Sequence, residues 1–370
     1  MGAEPQSEAI APGGKAGLLQ RYPPRRLVQL GLGAIIAVVV VWGSIKTLTL
    51  HGTDQAHIDA AGWRNLIIQG IARGSVYALI AIGYSLVYGI LLMINFAHGE
   101  VFMAGTFASF FVAQVFANNG FLDSSPIAAI LILVLIAMAV STFIAVLLER
   151  IAYRPLRNAP RLVPLITAIG ASLFLQNTFR GFFGSNTHGY PKPKVLEGQW
   201  KILGLPIDRT QLIVILAAAV AVVLLALFVA RTKTGKSMRA VSEDKEISSL
   251  MGINVDRVIV TTFAIGGMLA GVAGVLFAFQ FGNVGPFMGF IPGIKAFTAA
   301  VLGGIGSITG AALGGLILGV VEAVAPFLIL NGAHVQSVNQ LTDVVAFTVL
   351  VLVLVFRPGG ILGTGEPEKV

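Results

Sequence analysis

The sequence predicts an all-α polytopic membrane protein, both from its composition and from the spacing of its apolar runs. Of its 370 residues, 56% are hydrophobic and only 11% are charged, whereas a soluble protein carries roughly 25% charged residues. Apolar runs of about 20 residues recur along the chain, and each is long enough to cross about 30 Å of hydrocarbon as a helix. We expect about 10 transmembrane helices, or 8 with two broken or re-entrant segments.

Charge and cysteine content exclude several other classes of protein. The net charge is +8, but the Lys and Arg residues are scattered over short loops, which fits positive-inside topology better than nucleic-acid binding. Alternate loops carry 16 and 5 of these residues, so both termini and the loop Arg231–Arg257 are predicted to be cytoplasmic. With no Cys, disulfides, thiolate nucleophiles and Cys-ligated metals are excluded, and neither a cofactor nor a metal site is predicted.

The first predicted span follows a polar tail at 1–26, which we expect to be disordered and cytoplasmic. The segment 27–62 then holds an extra N-terminal transmembrane helix and a periplasmic loop; a cleaved signal peptide is disfavoured because no small-residue cleavage site follows the apolar core. Residues 363–370 form a second cytoplasmic tail. The remaining spans are expected at Leu66–Met93, Val101–Ala117, Ile127–Leu148, Leu162–Phe182, Gln211–Ala230, Val258–Phe281, Ile294–Gly310, Ala311–Leu330 and Leu341–Phe356.

The loop 231–257 is the longest run without a spanning stretch and holds 6 of the 25 Lys and Arg residues. After Arg239 it predicts a short helix that begins at an N-cap Ser242 and ends at Gly252. Acidic residues occupy its first turns, where they suit a helix N-terminus: Glu243, Asp244 and Glu246. Such a helix could transmit a displacement from a motor outside the bilayer, but an ordinary charged connection fits the spacing equally well.

Two interruptions, INFAHGE and LGGIGSITGA, place Gly and polar residues inside apolar stretches. Unpaired backbone groups are costly there unless they line a cavity or are buried in protein, and paired interruptions indicate a transporter's pathway. The candidate pathway residues in them are Asn95, His98, Glu100, Gly303, Gly304, Gly306 and Ser307. For the first three, a tight cytoplasmic turn is the alternative.

Lone ionisable residues near the spans are expensive in lipid and should face the bundle or an interface. Arg73 and Lys295 are expected to extend to a membrane surface rather than contact a substrate. Glu322 lies deeper, and a role in the pathway or in helix pairing is predicted for it.

Several long motifs resemble one family. The sequence RAVSEDKEISSLMGINVDRVI, followed by FAIGGMLAGVAGVL, is similar to the cytoplasmic coupling region of LivH-type permeases in ABC importers for branched-chain amino acids. GSVYALIAIGYSLVYGILLMINFAHGEVFMAG resembles the early broken-helix region of these permeases, and ERIAYRPLR, AIGASLFLQN and GFIPGIKAFTAAVLGGIGSITGAALGGLILG match later segments. The resemblance runs from about Asn65 to the end and leaves 1–62 outside the family's usual core.

The resemblance implies that 63–362 form the permease domain of a bacterial inner-membrane importer that performs no covalent chemistry. It implies docking of an ATPase on the coupling segment through Arg239, Glu243, Asp244, Glu246, Ser248, Gly252 and Asp256. Glu246 and Gly252 fit the family's Glu-to-Gly spacing, whereas Ile247 and Ser248 replace the common small Ala residues. The implied partners are a second, LivM-like permease, two LivG/LivF-like ATP-binding subunits, a periplasmic substrate-binding protein and membrane lipid.

The implied cargo is leucine, isoleucine and valine, moved by alternating access. A urea or short-chain amide permease of the same superfamily is the alternative, and an ion-coupled secondary transporter is a further one. The latter would depend on Glu100 and Glu322 as its intramembrane carboxylates. Gly235-Lys236-Ser237 resembles the end of a phosphate-binding loop, but Ala230 stands where that loop needs Gly, so ATP hydrolysis is assigned to another subunit.

Overall fold

The computed structural model describes residues 24–50, 57–157, 159–160, 162–202, 205–335, 338–357 and 359–363. The predicted tails at 1–26 and 363–370 therefore lie almost wholly outside the described residues. Within these residues, eight helices are long and apolar enough to cross a membrane, and two shorter apolar helices accompany them. This confirms an all-α polytopic membrane protein with eight spans and two shorter segments.

The helices and strands are numbered in chain order. The helices are α1 (Pro24–Leu48), α2 (Ala60–Leu91), α3 (His98–Asn118), α4 (Phe121–Ser124), α5 (Pro126–Leu148), α6 (Leu162–Phe183), α7 (Arg209–Arg231), α8 (Lys233–Glu243), α9 (Lys245–Leu250), α10 (Val255–Phe281), α11 (Phe290–Gly303), α12 (Ile308–Leu330) and α13 (Thr342–Phe356). Two small antiparallel sheets join β1 (His188–Gly189) to β4 (Asn283–Val284), and β2 (Gln199–Ile202) to β3 (Leu205–Asp208).

Helix α2 forms the centre of the bundle. In its apolar window 89% of residues are buried, against 22% for α5, α6 and α7, so those three helices present their apolar faces outward to lipid. Helix α12 packs antiparallel to α2 through small residues: a Cβ on Gly315 would lie 2.5 Å from the Ala78 Cα, and one on Gly70 would lie 2.7 Å from the Val320 Cα. Glycine here lets the two backbones approach closely.

The extra N-terminal helix α1 packs at the edge of this bundle. Only 11% of its apolar window is buried. It contacts the C-terminal end of α12, where the Gly332 amide donates a hydrogen bond of 2.8 Å to the Thr47 hydroxyl. Helix α1 is therefore an addition to the outside of the bundle, and the central packing of α2 and α12 does not depend on it.

The second interruption divides α11 from α12 earlier than expected. The predicted span Ile294–Gly310 is instead the 14-residue helix α11, which ends at Gly303 and is followed by Gly304 with φ +108°. Ser307 then caps α12 by accepting from the Gly310 amide at 3.1 Å. The free carbonyls at the end of α11 accept hydrogen bonds from the C-terminal segment, from the amides of Ile361 and Leu362 at 2.8 and 2.9 Å.

Candidate functional site

A cavity of about 630 Å³ lies among α2, α10, α11, α12 and the start of α13. Its volume is within the range of about 300–1,000 Å³ that is usual for small-ligand sites. Its walls are aromatic and aliphatic, and four charged side chains line it; we call it the charged cavity. Its lining includes Arg73, Tyr77, Phe277, Phe281, Asn283, Phe287, Met288, Ile291, Lys295, Glu322 and Asp343.

The four charges form one cluster. The Lys295 ammonium lies 2.8 Å from the Glu322 Oε1 and 2.6 Å from the Asp343 Oδ1, so it holds α12 and α13 together. The Tyr77 hydroxyl donates to the same Glu322 oxygen at 3.4 Å. Arg73 is more loosely placed, with its guanidinium 3.9 Å from Glu322 and 5.7 Å from the centre of the Phe281 ring. Two cations and two anions leave the cluster without a net charge.

Two members of this cluster keep unused hydrogen-bonding capacity. The Glu322 Oε2 and the Arg73 Nε are buried and have no hydrogen-bond partner among the described residues. Lys295 is 5% exposed and Glu322 2%. The prediction that Lys295 extends to a membrane surface was therefore wrong, because its ammonium is neutralised inside the bundle by carboxylates of two other helices. Arg73 likewise turns toward Glu322.

The charged cavity lies toward the N-terminal half of α2. Two adjoining cavities of about 390 and 360 Å³ share Gln69 with it and reach the loop that carries Lys192 and the β2–β3 hairpin. The C-terminal end of α2, from Ser85 to Ile90, packs beside α8 in the loop 231–257, which we call the coupling segment after its predicted role. Arg73 and Ser85 are 12 residues apart, or about 18 Å along a helix. The cavity thus borders the middle of the central helix, and the coupling segment lies at its C-terminal end.

The first interruption is buried inside the chain. Asn95, His98 and Glu100 are 4%, 2% and 1% exposed. The Tyr153 hydroxyl donates to the Asn95 Oδ1 at 2.6 Å, and the His98 ring lies edge-on to Tyr84, with 4.9 Å between ring centroids. These side chains are therefore packed into the core and do not lie on an exposed turn.

Glu100 is held by helix α6. Its Oε1 accepts from the Gln176 amide at 2.6 Å and from the Ser172 hydroxyl at 3.2 Å. A separate, nearly apolar cavity of about 280 Å³ lies beside this group and is lined in part by Ser172 and Phe290. Glu100 and Glu322 thus belong to different parts of the bundle.

The glycine interruption lies at the coupling end. Gly303 and Gly304 are buried, whereas Gly306 is exposed and lines a small cavity of about 80 Å³ with Arg239. Ser307 and Glu322 are 15 residues apart on α12, which is about 22 Å. The predicted pathway residues therefore occupy three places along the bundle: the charged cavity, the buried junction before α3, and the glycine break.

The coupling segment consists of two helices, α8 and α9, in place of the single helix that the sequence predicted. Ser242 does not cap a helix: its hydroxyl donates to the Arg239 carbonyl at 2.7 Å, inside the last turn of α8. Asp244 is the N-cap of α9 and accepts from the amides of Glu246 and Ile247 at 2.8 and 2.9 Å. Gly252 ends the segment with φ +82°, as predicted.

The interior of the coupling segment is fixed to the bundle. The Arg239 guanidinium donates to the Val229 carbonyl at 2.7 Å, at the end of α7, and Ser248 is buried. Asp256 is paired within the chain with Arg154, at 3.0 Å, and with Arg157. Ser248 and Asp256, both predicted to contact an ATPase, are therefore engaged by their own chain. Burial, and then the charge of Arg157, lower the pKa of Lys245.

An exposed apolar face on the coupling segment was missed by the sequence analysis. Ile247, Leu250 and Met251 are 59%, 87% and 78% exposed. They stand at positions i, i+3 and i+4, so they share one side of α9. Glu243 and Glu246 are exposed nearby. The signal for this face is the spacing of Ile247, Leu250 and Met251 within an otherwise polar segment.

The described residues hold no group of three or more His, Asp or Glu side chains placed to bind a metal ion. The described residues thus contain two candidate sites. An ion cluster lies in a cavity with apolar walls, and the coupling segment presents apolar side chains outward.

Comparison with known proteins gives one consistent family. The family described as the permease component of branched-chain amino acid transport systems matches residues 66–354. The chain is 46% identical over 307 residues to the high-affinity branched-chain amino acid transport system permease protein BraD of Pseudomonas aeruginosa, covering 82% of this chain and 97% of BraD. It is 44% identical over 312 residues to LivH of Escherichia coli, a protein of the same description, covering 82% of this chain and 96% of LivH.

More distant similarities are also found. LivM of Escherichia coli, another permease protein of high-affinity branched-chain amino acid transport, is 25% identical over 317 residues, covering 79% of this chain and 69% of LivM. A solved metal-chelate type ABC transporter in an inward-facing conformation is 14% identical, with a TM-score of 0.39 and coverage of 90% of this chain and 99% of that one. This structural similarity is too low to support an argument.

Proposed function

Because the chain belongs to the family of permease components of branched-chain amino acid transport systems, we propose that it is the transmembrane permease subunit of an ATP-driven ABC importer for leucine, isoleucine and valine. The identity of 44–46% to BraD and LivH over 82% of the chain supports this most strongly. Eight apolar helices make it a multi-pass membrane protein, and the bacterial inner membrane is its proposed location.

The proposed partners follow from what this chain contains. The similarity to LivM supports a second, LivM-like permease of related sequence. No phosphate-binding loop is present in the sequence, so ATP is hydrolysed by two separate LivG/LivF-like subunits in this proposal. They dock on α8 and α9, where Glu243, Glu246 and the exposed apolar face of α9 are accessible. A periplasmic binding protein delivers the cargo at the other end of the bundle.

The mechanism in this proposal is alternating access. ATP binds the closed motor pair more tightly than the open one, and this difference biases the permease between two arrangements. Helix α8 packs on the end of α2, and α2 also lines the charged cavity. A displacement of the coupling segment therefore acts directly on a helix that borders the cavity.

The test is reconstitution. The chain, tagged at its C-terminus, is purified from its native membranes, its partners are identified by mass spectrometry, and the assembly is placed in liposomes with its binding protein. We expect a second permease and two ATPases to co-purify, and radiolabelled leucine to enter only with hydrolysable ATP. A homo-oligomer without an ATPase would favour an ion-coupled transporter. Uptake of urea or a short amide without leucine would exclude the amino-acid cargo.

A further inference from the structure

The charged cavity combines three features that the rest of the bundle does not bring together. It has apolar walls, it contains buried charges of both signs, and two of its polar groups lack partners. An unpaired buried polar atom is costly, and the Glu149–Arg157 ion pair also leaves such atoms, so it is the cavity beside Arg73 and Glu322 that distinguishes this cluster. Arg73 and Glu322 line the cavity with opposite charges and are incompletely paired, so a ligand that carries both charges has a counter-group for each.

The two unsatisfied groups lie side by side. The Arg73 Nη1 is 3.9 Å from the Glu322 Oε1, so the two side chains that carry the unpaired Nε and Oε2 atoms are neighbours. Lys295 is already committed, with Glu322 on one side and Asp343 on the other. Arg73 is therefore the cation that remains available, and its planar fork suits a carboxylate. The Glu322 carboxylate, which also lines the cavity, is the matching acceptor for an ammonium group.

Resting on the proposed function, we propose that the charged cavity is the site where this chain holds the zwitterionic head of an α-amino acid during translocation. Arg73 receives the α-carboxylate, and Glu322 receives the α-ammonium. Because both groups of an α-amino acid are bonded to one carbon, their counter-groups must be adjacent, as Arg73 and Glu322 are. A cluster without net charge also suits a ligand without net charge.

The rest of the cavity suits a branched apolar side chain. Phe281, Phe287 and Ile291 lie on its walls and are 37%, 46% and 37% exposed in this chain, and Met288 completes the apolar surface. An aliphatic group placed against them buries apolar area, which is worth about 25 cal/mol per Å². A wall that contains an adaptable Met side chain does not select one shape of ligand side chain. We therefore expect leucine, isoleucine and valine to be accepted similarly.

Leucine binding measured in the absence of the binding protein tests the cavity independently of the binding protein's own selectivity. The complete assembly of both permeases and the ATPases is placed in lipid nanodiscs without the binding protein, and radiolabelled L-leucine is titrated. We expect saturable binding that isoleucine and valine displace. The analogues 4-methylpentanoate and 3-methylbutylamine, which each lack one of the two charges, should fail to displace it, and so should 5-aminopentanoate, whose charges are far apart. Displacement by any of these three would overturn the assignment.

Substitutions of Arg73 test its assigned role in holding the α-carboxylate. Arg73→Gln should weaken leucine binding by about 10- to 100-fold, the loss expected for a charge-assisted hydrogen bond. Arg73→Lys should recover part of it, since the charge remains without the bidentate fork. Arg64→Gln, an exposed site on the same helix, is the matched control and should bind as the wild type does. Unchanged binding in Arg73→Gln, or no saturable leucine binding to the wild-type assembly, would overturn the proposal.

Failure of this inference is distinguishable from failure of the proposed function. If wild-type proteoliposomes take up no branched-chain amino acid, the proposed function fails. If they take up leucine and the Arg73→Gln assembly does so at the same rate with normal affinity, only the assignment of this cavity fails. Monodisperse assembly and ATPase activity stimulated by the binding protein serve as the check that each variant is folded.

Discussion

At the scale of single residues, Glu322 shows how this chain tolerates a carboxylate inside an apolar bundle. Its Oε1 is near three donors, from Lys295, Tyr77 and Arg73. An isolated buried charge costs several kcal/mol or more, so the position is tolerable only while the cations stay in place. Lys295 matters most, because it forms close ion pairs with both Glu322 and Asp343.

Removing that lysine should therefore destabilise the fold. Lys295→Met removes the closest cation from the buried Glu322 and leaves only Arg73, at 3.9 Å, as its ion-pair partner. We expect a loss of about 3–5 kcal/mol, the usual result of breaking a buried pair. The thermal unfolding midpoint of the purified assembly in detergent measures it. The double variant Lys295→Met/Glu322→Gln should recover part of the loss. Lys201→Met, exposed in the β2–β3 hairpin, is the control, and an equal midpoint for Lys295→Met and this control would contradict the argument.

The sequence identified these ionisable residues but not their partners. Arg73, Lys295 and Glu322 were each predicted to be costly in lipid, and Glu322 to act in the pathway or in helix pairing. In the structure Glu322 pairs α12 with α11 through Lys295. A place for Glu322 in a pathway remains a prediction. Lys295 and Glu322 are 27 residues apart. Which ions meet depends on how α2, α11 and α12 are rotated about their axes, and no local pattern in the sequence records those rotations.

At the scale of elements, close packing between α2 and α12 depends on glycine. A side chain on Gly315 would meet the backbone of Ala78, which cannot move as a flexible side chain could. Overpacking in a core commonly costs about 1–3 kcal/mol, and a clash with backbone is at the upper end of that range or beyond. Glycine thus determines the spacing of the two central helices.

Substitution of this glycine should separate the helices. We expect Gly315→Leu to reduce the yield of monodisperse assembly severely, as measured by size-exclusion chromatography after extraction. Gly170→Leu, in α6, is the matched control, because no heavy atom lies within 4 Å of a Cβ placed there. Equal yields of the two variants would show that the contact is not needed for assembly.

The coupling segment shows where local rules succeed and fail. The spacing predicted a helix that ends at Gly252, and α9 does end before it. The predicted N-cap, Ser242, was wrong. Both Ser242 and Asp244 can cap a helix, and the sequence alone does not show at which of them one helix ends and the next begins. In the structure Ser242 bonds back to Arg239 and the chain bends at Asp244. That bend also turns the apolar face of α9 outward.

This face should carry the contact with the ATPase. Leu250 is 87% exposed, and placing a charge at a central apolar anchor of an interface costs about 1–2 kcal/mol or more. We expect Leu250→Asp to reduce the amount of ATPase that co-purifies by about tenfold, and leucine uptake to fall with it. Ser249→Asp adds the same charge on the neighbouring exposed position and should retain more of the ATPase. Full recovery of the ATPase with Leu250→Asp would place the docking surface elsewhere.

At the scale of the whole molecule, one central helix connects the charged cavity, at the middle of the helix, with the coupling segment at its C-terminal end. Helix α2 borders the charged cavity at Arg73 and the coupling segment at Ser85. The helices that face outward, α5, α6 and α7, are largely unburied, and the apolar runs in the sequence were enough to predict them. The central arrangement was not predictable from those runs, because a fully buried helix and a lipid-facing helix are both apolar.

If the charged cavity opens and closes with ATP, its accessibility must depend on the nucleotide state. The chain has no Cys, so a single Phe287→Cys substitution on the cavity wall supplies a unique thiol. We expect a membrane-impermeant maleimide to label it at clearly different rates in the nucleotide-free assembly and in one trapped with a non-hydrolysable ATP analogue, because the two states differ in which end of the bundle is open. Lys201→Cys, on the exposed hairpin, should react alike in both. Equal rates at Phe287→Cys would mean that this cavity does not change access, and the coupling of the two ends through α2 would then be wrong.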